Sequence, residues 1–442
     1  MRTLHLPHPM VLLLACVLVA AALTHVIPAG QFDRQEDAAT GRTVVVANTY
    51  HRVEAQPVGP FAAFVAVPRG FVAGAEVIVL VLLVGGAWTV VDKAGTLRAI
   101  VDWLVATFGS QRHLAIILLS CAFTAGGALE NMGEEIIPLV PVLLLLCQGF
   151  GYDALTAAAM SIGSAMIGSA FSPLNPFQAG IALKLAQLPL LSGALLRTGL
   201  LLVALALWTW WTIRHAEKHR VEPDEAHRPS AHTFDARQRV ILLLITAPFV
   251  AYIVGVLKFG WGFNELSAAF FVSGLLVGLV GRLGVQGTVD AYFDGMRSVT
   301  AAAVLIGVAR SISLVLEDGR VIDTILQGLV TPLASAPRAF AAVLMVPVQA
   351  LLHIPVSSVS GQAVLTMPVM IPLSDLLGIS RQATVLAYQA GAGLTEFWTP
   401  TNGTLMAILL SVKCPYERWL RFAAPMVVVL TLLFIAGMIA VL

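Results

Sequence analysis

Four apolar stretches in this chain are too long and too interrupted to be simple membrane-spanning helices, and they constrain its fold most strongly. Each is 30 residues or longer and contains internal glycine, proline, serine or asparagine. In a lipid bilayer the backbone must satisfy its own hydrogen bonds, so an interruption has to lie inside the protein or line a water-filled cavity. The four stretches are residues 114–148, 156–188, 339–376 and 383–412.

The other apolar residues form seven ordinary segments, each close to the roughly 20 residues that a transmembrane helix needs. The chain is 58% hydrophobic and 12% charged, with a mean hydropathy of +0.87, whereas soluble domains carry roughly 25% charged residues. We therefore predict an all-α polytopic membrane protein whose first segment is retained rather than cleaved as a signal peptide. The seven segments are 10–27, 77–91, 190–213, 240–257, 266–283, 299–316 and 419–442.

Several classes of function are disfavoured by the composition. A formal net charge of +1 offers no broad basic surface, so nucleic acid is not expected as a partner. The sequence contains no P-loop, H-E-x-x-H motif or G-x-S-x-G nucleophile elbow, so we do not expect an enzyme. The four cysteines are scattered without metal-ligand spacing, and we predict no metal site and no organic cofactor.

One stretch, residues 214–239, is plainly aqueous and divides the chain into a first half, 1–213, and a second half, 240–442. Its six Lys and Arg residues place it in the cytoplasm by the positive-inside rule. The polar residues 31–59 would then face outward and include a short strand or hairpin. The four linker histidines fit a solvated loop better than a metal site; they are His215, His219, His227 and His232.

The two halves resemble each other in sequence. A constant offset of 227 residues aligns their interrupted stretches, and the predicted topology turns one copy upside down relative to the other. We expect each half to contain a re-entrant helical hairpin (112–149 or 337–377) and a discontinuous helix (153–188 or 380–412), which makes an inverted-repeat transporter. Paired broken helices in such repeats indicate a substrate site near the bilayer midplane. The aligned pairs are Gly151 with Gly378, Pro173 with Pro400 and Asn175 with Asn402.

The two breaks supply the first set of candidate binding residues. Proline cannot donate a backbone hydrogen bond, so Pro173 and Pro400 free polar main-chain groups that are tolerated at membrane depth only beside a cavity or ligand. A plain proline kink is the alternative for either break alone. Side chains that would add polar contacts are Ser172 and Asn175 in the first copy and Thr399, Thr401 and Asn402 in the second.

The hairpin tips supply the second set. The first tip carries Glu130, Glu134 and Glu135, and an acidic side chain at membrane depth costs about 3 kcal/mol and is a functional candidate by default. A solvated tip or a helix cap is the alternative for each glutamate. The second tip is neutral and offers Ser357, Ser358, Ser360 and Gln362.

Two charge patterns bear on the substrate. Helix N-termini at the breaks suit a carboxylate, and the glutamates suit a cation or exchangeable protons, so a zwitterionic or cationic amino acid would satisfy both. A dicarboxylate would need fixed positive charge, for which Arg310 is a candidate; an interhelical arginine is the equal alternative. Glu396 could pair with a basic group or bind a coupling ion, and its role stays open with that of Glu130.

Several motifs resemble the YfcC family, which is similar to DcuC-type carriers of C4-dicarboxylates and to arginine/ornithine antiporters. They are "HVIPAGQFDR", "VGGAW", "NMGEE", "GYD", "LNPF", "SGQAVLTMPVMIPLSDLLGISRQ" and "PYERWLRF", in order along nearly the whole chain. The resemblance implies a dimerising scaffold domain, a transport domain and elevator-type movement. It also implies binding roles for Glu134, Glu135, Ser172, Asn175, Ser360, Gly361, Gln362, Thr401 and Asn402. The sequence departs from the family's G-D-G element at residues 391–393, which read "GAG".

We therefore predict a secondary active transporter of the cell inner membrane that moves a small carboxylate-bearing metabolite. An amino acid, which includes the basic ones, is the first choice and a C4-dicarboxylate the alternative; a channel with re-entrant loops is the more distant alternative. Na⁺ or H⁺ would be the coupling ion, and a homodimer in the lipid bilayer is the expected assembly. Symport and antiport both remain open.

Overall fold

The fold consists almost entirely of helices, in a computed structural model that describes residues 7–108, 111–221, 235–259 and 261–442, without the side chains of residues 253, 256 and 257. The helices are α1 (Pro9–Val26), α2 (Pro60–Ala73), α3 (Ala75–Lys93), α4 (Thr96–Phe108), α5 (Arg112–Glu130), α6 (Val140–Phe150), α7 (Ala154–Ala158), α8 (Ser164–Phe171), α9 (Ala179–Leu185), α10 (Ala194–Lys218), α11 (Ala236–Phe259), α12 (Phe263–Val280), α13 (Gly284–Asp318), α14 (Ile322–Val330), α15 (Arg338–His353), α16 (Val359–Leu376), α17 (Arg381–Tyr388), α18 (Gly403–Ser411) and α19 (Tyr416–Ile439).

Tighter and wider helical turns complete this list. Glu134–Leu139 and Thr331–Ser335 form 3-10 turns, and Ala159–Gly163 and Gln389–Gly393 form π turns. Outside the membrane-spanning helices, β1 (Gly30–Gln31) pairs antiparallel with β4 (His51–Arg52), and β2 (Arg34–Asp37) pairs with β3 (Arg42–Val45). The predicted strand or hairpin in this polar segment is therefore present as two short two-stranded ladders.

Eight helices among the described residues are long and apolar enough to cross a membrane, which supports the predicted polytopic all-α class. All seven ordinary segments of the sequence contain a helix. Three shorter helices, α2, α4 and α14, were not predicted, because 9 to 14 residues fall below the length that a search for membrane spans detects. Helix α10 continues into the first residues of the predicted linker and ends at Lys218. His227 and His232 lie outside the described residues.

The joined helices α2 and α3 run antiparallel to α13 in very close contact. Gly70 lies against Gly307 and Ser311, whereas Gly85, farther along the chain, lies against Val299 and Gly295. The order of the contacts is thus reversed along the two partners. A side chain at Gly70 would collide with the α13 backbone, so glycine permits this approach.

The two interrupted stretches that precede the broken helices turn back toward their own starting side. Arg112, at the start of α5, donates to the Phe150 carbonyl at the end of α6 over 3.3 Å. Arg338, at the start of α15, donates to the Leu442 carbonyl, and Ser380, just after α16, donates to the Val441 carbonyl. Both stretches end in a left-handed glycine, Gly151 (φ 73°) or Gly378 (φ 69°), which terminates the helix without a steric penalty.

The open ends of these two stretches lie at opposite ends of α10. His113, at the first, is 2.7 Å from Glu217 near the C-terminus of α10, and Gln382, beyond the second, donates to Ser192 just before α10 begins. A helix of 25 residues is about 37 Å long. The ends of the first stretch therefore lie near the C-terminus of α10, and those of the second lie near its N-terminus.

Asp153 anchors the first broken helix to two other helices. Its carboxylate accepts from the Thr156 amide, His215 Nε2 (3.1 Å) and Arg418 Nη2 (2.7 Å). Burial raises the pKa of Asp153, but the hydrogen bonds from His215 and Thr156 outweigh that effect and lower it to about 2.

We expect Asp153→Ala to lower the free energy of unfolding by about 1–3 kcal/mol, because it removes an N-cap and leaves His215 and Arg418 without their shared acceptor. The contribution should be fully present above about pH 4, the ordinary aspartate pKa, and should be lost as the pH falls toward about 2. Thermal unfolding of both proteins at several pH values measures it. A difference that stays constant down to pH 2 would contradict this account.

Candidate functional site

The first broken helix is interrupted between α8 and α9, and polar side chains at the break form hydrogen bonds with the interrupted backbone. Ser172 Oγ accepts from the Leu174 and Asn175 amides, both at 2.9 Å, and donates to the Ala128 carbonyl. Asn175 Oδ1 accepts from the Phe177 and Gln178 amides, also at 2.9 Å. These bonds satisfy amides that a continuous helix would have paired, and both side chains are fully buried.

The second broken helix is interrupted between the π turn that follows α17 and the start of α18. Asn402 caps α18, because its Oδ1 accepts from the Leu405 amide over 3.1 Å, while its Nδ2 donates to the Glu396 carboxylate. The Thr399 and Thr401 hydroxyls lie 2.7 Å apart. Asn402 is thus the N-cap of the helix that follows its break, whereas Asn175, at the aligned position, binds two amides of the turn that precedes α9.

The two broken helices contact each other through Gln389, which lies in the second π turn. Its Nε2 donates to the carbonyls of Ala170 (3.1 Å) and Ser172 (3.0 Å) at the first break. Its Oε1 accepts from Arg197 Nε on α10 over 2.7 Å. Arg197 is buried. The Gln389 side chain thus connects the two carbonyls at the first break with the second broken helix and with the Arg197 guanidinium.

Gln389→Leu should therefore destabilise the protein by roughly 2–5 kcal/mol, since two carbonyls and one guanidinium edge would be buried without partners. Thermal unfolding in detergent measures the loss. Gln286→Leu is the matched control: Gln286 is exposed and its side chain bonds only Asp290 among the described residues. Equal midpoints for the two variants would show that Gln389 does not hold the breaks together.

A cavity of about 710 Å³ lies where the first hairpin tip, the second break and the second hairpin tip converge on α13 and the α2–α3 junction. Its wall carries both signs of charge. The polar side chains that line it are Arg42, Glu76, Glu130, Asn131, Glu134, Ser169, Tyr252, Arg310, Ser357, Ser358, Ser360, Glu396, Thr401, Asn402 and Thr404.

The structure divides the sequence-predicted site residues into two groups. Six line the cavity: Glu134, Ser358, Ser360, Glu396, Thr401 and Asn402. Six do not: Glu135, Ser172, Asn175, Gly361, Gln362 and Thr399. Members of the second group contribute to the backbone or to buried networks; Glu135, for example, is buried and accepts from the Gly133 amide over 3.0 Å.

Nine of these fifteen polar wall residues were absent from the predicted set of twelve, and four of the nine are Glu76, Asn131, Ser169 and Thr404. Glu76 follows the α2–α3 junction and Thr404 begins α18. Asn131 adopts a left-handed conformation (φ 60°) after α5, and its Oδ1 accepts from Ser169. Ser169 aligns with Glu396 at the 227-residue offset, so the repeat itself contained a signal for this position.

Arg310 is the cation best placed to meet a bound anion. It lies on α13, its side chain is exposed to the cavity, and it makes no hydrogen bond or ion pair within the described part of the chain. An arginine at membrane depth is costly unless it has a partner or faces water. Its guanidinium fork matches a carboxylate in geometry, so a bound carboxylate would supply the missing partner.

Glu396 carries the charge opposite to that of Arg310 and belongs to a buried network. Its Oε1 is 2.6 Å from His353 Nε2, and its second oxygen accepts from Asn402. His353 is fully buried, whereas the Glu396 side chain is 22% exposed and reaches the cavity. Glu396 thus connects the cavity surface with a network behind the second hairpin tip.

Comparison with known proteins gives consistent matches over the whole chain. The family model of the C4-dicarboxylate anaerobic carrier, DcuC, matches residues 6–442. The Escherichia coli (strain K12) protein YfcC, provisionally named a basic amino acid antiporter, is 30% identical, over 99% of this chain and 96% of that protein. An uncharacterised protein of Haemophilus influenzae is 26% identical, over 96% and 95% of the two chains.

Two solved structures show weaker likeness. The YdaH transporter of Alcanivorax borkumensis is 18% identical with a TM-score of 0.43, over 98% of both chains. MtrF of Neisseria gonorrhoeae, described within a class of antimetabolite efflux pumps, is 16% identical with a TM-score of 0.43, over 98% of this chain and 94% of that one. A TM-score below 0.5 is too low to carry an argument.

The matches confirm the resemblance predicted from the sequence motifs. With eight apolar helices in the described residues, the protein is a multi-pass membrane transporter, consistent with the inner membrane, and it is not an enzyme. The family model covers the chain from residue 6 to the last residue. The chain therefore belongs to the DcuC family of C4-dicarboxylate anaerobic carriers.

Proposed function

We propose that this carrier transports an amino acid, with basic amino acids preferred, by alternating access at the cavity beside the second break. The observation that carries the proposal is the presence of both charges on one wall: Arg310, which makes no hydrogen bond or ion pair among the described residues, and four glutamates that line the same cavity. An amino acid carries a carboxylate and an ammonium group. Each of these groups can meet an opposite charge in such a site.

The carboxylate end would bind Arg310 and the start of α18. Arginine forms bidentate, charge-assisted hydrogen bonds with a carboxylate. Gly403 and Thr404, the first residues of α18, also line the cavity, and a helix N-terminus favours negative charge. The substrate carboxylate would thus lie between one full positive charge and one helix dipole.

The ammonium end would bind the glutamates, which outnumber the arginines on the wall. Glu76, Glu130, Glu134 and Glu396 line the cavity against Arg42 and Arg310. Such an excess of acid attracts a substrate with net positive charge. This balance favours a basic amino acid over a neutral one.

A C4-dicarboxylate is the second candidate, and the family to which the chain belongs supports it. Arg310 and Arg42 would have to neutralise two carboxylates. The four glutamates would then repel the same ligand unless they were protonated. The distribution of charge therefore makes the dicarboxylate the less favourable substrate, although the positions of the two arginines permit it.

Alternating access is supported by the opposed arrangement of the two halves. The α2–α3 pair runs antiparallel to α13, the two hairpins open toward opposite ends of α10, and the two breaks contact each other. An inverted repeat with elevator-type movement would produce this arrangement. We propose a homodimer whose scaffold carries the moving hairpins and broken helices, with Na⁺ or H⁺ as the coupling ion.

Counterflow in proteoliposomes tests the proposed function. Vesicles loaded with unlabelled L-arginine should take up labelled L-arginine faster than empty vesicles, because a carrier returns more quickly with substrate bound. Succinate should accelerate this uptake much less. Uptake that is indifferent to the internal substrate would favour the channel, and acceleration by succinate alone would favour the dicarboxylate carrier.

A further inference from the structure

A chain of buried side chains behind the cavity fixes the orientation of His353. Gln362 Nε2 lies 2.7 Å from both the main-chain carbonyl and the side-chain oxygen of Gln349. A main-chain carbonyl only accepts hydrogen bonds, so the nitrogen of the Gln362 amide must face it. The Gln362 oxygen therefore faces His353 Nδ1, at 2.7 Å.

This orientation determines which histidine nitrogen carries a proton. Because Gln362 Oε1 accepts, His353 Nδ1 must be the donor. His353 Nε2 then faces Glu396 Oε1 at 2.6 Å. Two lone pairs would repel each other at that distance, so a proton has to lie between them, as imidazolium with carboxylate or as imidazole with carboxylic acid.

Glu396 connects the proton between these atoms with the water of the cavity. His353 is fully buried, whereas Glu396 lines the cavity. Other ionisable groups around Glu396 are Glu134 before α6, Arg310 on α13, Tyr388 on α17 and Arg42 on β3. The Tyr388 hydroxyl donates to the Val359 carbonyl. Asn402 holds the second Glu396 oxygen.

We propose that His353 and Glu396 form a coupling-proton site, whose proton leaves when the ammonium group of a substrate binds Glu396. The proton passes from the Nε2–Oε1 contact to cavity water, and the Glu396 carboxylate then turns from neutral His353 toward the ammonium group, which balances its charge. Proton and substrate thus exclude each other at Glu396. The carrier would exchange a proton for a cationic amino acid, which chooses H⁺ over Na⁺ and antiport over symport. This inference rests on the proposed function.

Proton release on substrate binding tests this inference in the wild-type protein. We expect a weakly buffered detergent solution of the carrier to acidify on addition of L-arginine, with a proton released for each arginine bound, as read with a pH indicator dye. Calorimetry under the same conditions measures binding. Binding of arginine without proton release between pH 5 and pH 8 would overturn the coupling site and leave the proposed function intact.

Two variants test whether the released proton comes from the pair of His353 and Glu396. His353→Asn, which cannot titrate, should abolish proton release and flatten the pH dependence of arginine binding. His113→Asn is the matched control, because His113 forms a similar pair with Glu217 over 2.7 Å but lies outside the cavity and is 52% exposed. Undiminished release by His353→Asn would also overturn the coupling site.

An infrared difference spectrum keeps the test decisive if His353→Asn fails to fold. Arginine added to the wild-type protein should remove the band of imidazolium or of a protonated carboxyl. It should also produce the band of a carboxylate in contact with an ammonium ion. Absence of such a change would count against the inference. Failure of every amino acid and dicarboxylate to bind would instead reject the proposed function.

Discussion

Replacing Arg310 with glutamine is expected to weaken the binding of L-arginine by about 100-fold or more. Truncating one partner of a desolvated charge pair costs about 3 kcal/mol, and each 1.4 kcal/mol is about tenfold in the dissociation constant. The folded protein should tolerate the change, because Arg310 makes no hydrogen bond or ion pair within the described residues. Calorimetric titration with L-arginine measures the loss.

Arg297 provides the matched control on the same helix. It precedes Arg310 on α13, its side chain is 78% exposed, and it pairs with Asp294 over 3.2 Å. We expect Arg297→Gln to leave both arginine binding and the unfolding temperature close to those of the wild-type protein. If Arg310→Gln bound L-arginine as tightly as Arg297→Gln, the substrate carboxylate would have to lie elsewhere.

Replacing Asn402 with alanine should reduce uptake by about 100-fold, since a small displacement of groups that position a ligand is enough for such a loss. The side chain caps α18 and also holds the carboxylate of Glu396. Loss of a cap should lower the free energy of unfolding by about 1 kcal/mol. Initial rates of labelled L-arginine uptake and thermal unfolding measure the two effects.

Asn402→Asp separates the two roles of this side chain. An aspartate keeps an oxygen for the Leu405 amide, so the cap of α18 should be retained. It loses the amide donor to Glu396 and places two carboxylates together, so uptake should still fall. Recovery of uptake in Asn402→Asp would show that capping α18 is the whole function of Asn402.

The aligned residue Asn175 should respond differently. Its side chain is fully buried, accepts from the Phe177 and Gln178 amides and donates to the Gly127 carbonyl. Asn175→Ala should therefore lose more stability than Asn402→Ala, by about 1–3 kcal/mol for the groups left unsatisfied. Loss of uptake in Asn175→Ala alone would not assign a ligand role to this residue.

The contrast between these two asparagines shows how far the sequence could predict the site. Paired Pro and Asn residues at a constant offset located both interruptions, because proline disrupts a helix in any context. Which asparagine faces the cavity depends on the neighbours that each break meets in the folded protein. The first break packs under the first hairpin tip, where Gly127 and Asn131 are its partners, and that contact has no local signal.

The fold, like the site, could be predicted from the sequence only in those features that local composition determines. Long apolar runs predicted the spanning helices, since hydrocarbon demands both length and apolar composition. The two π turns were not predicted, because a wider turn depends on packing of residues such as Gly163 against Trp208. Arg310 could be identified only as a candidate, since an apolar helix gives no indication of which face meets water.

The central claim is that one cavity recognises a carboxylate and an ammonium group together, and three ligands test it most directly. L-arginine carries both groups, agmatine lacks the carboxylate and succinate lacks the ammonium group. We predict that wild-type protein binds L-arginine at least tenfold more tightly than either of the others in calorimetric titrations. Tighter binding of succinate than of L-arginine would contradict the account.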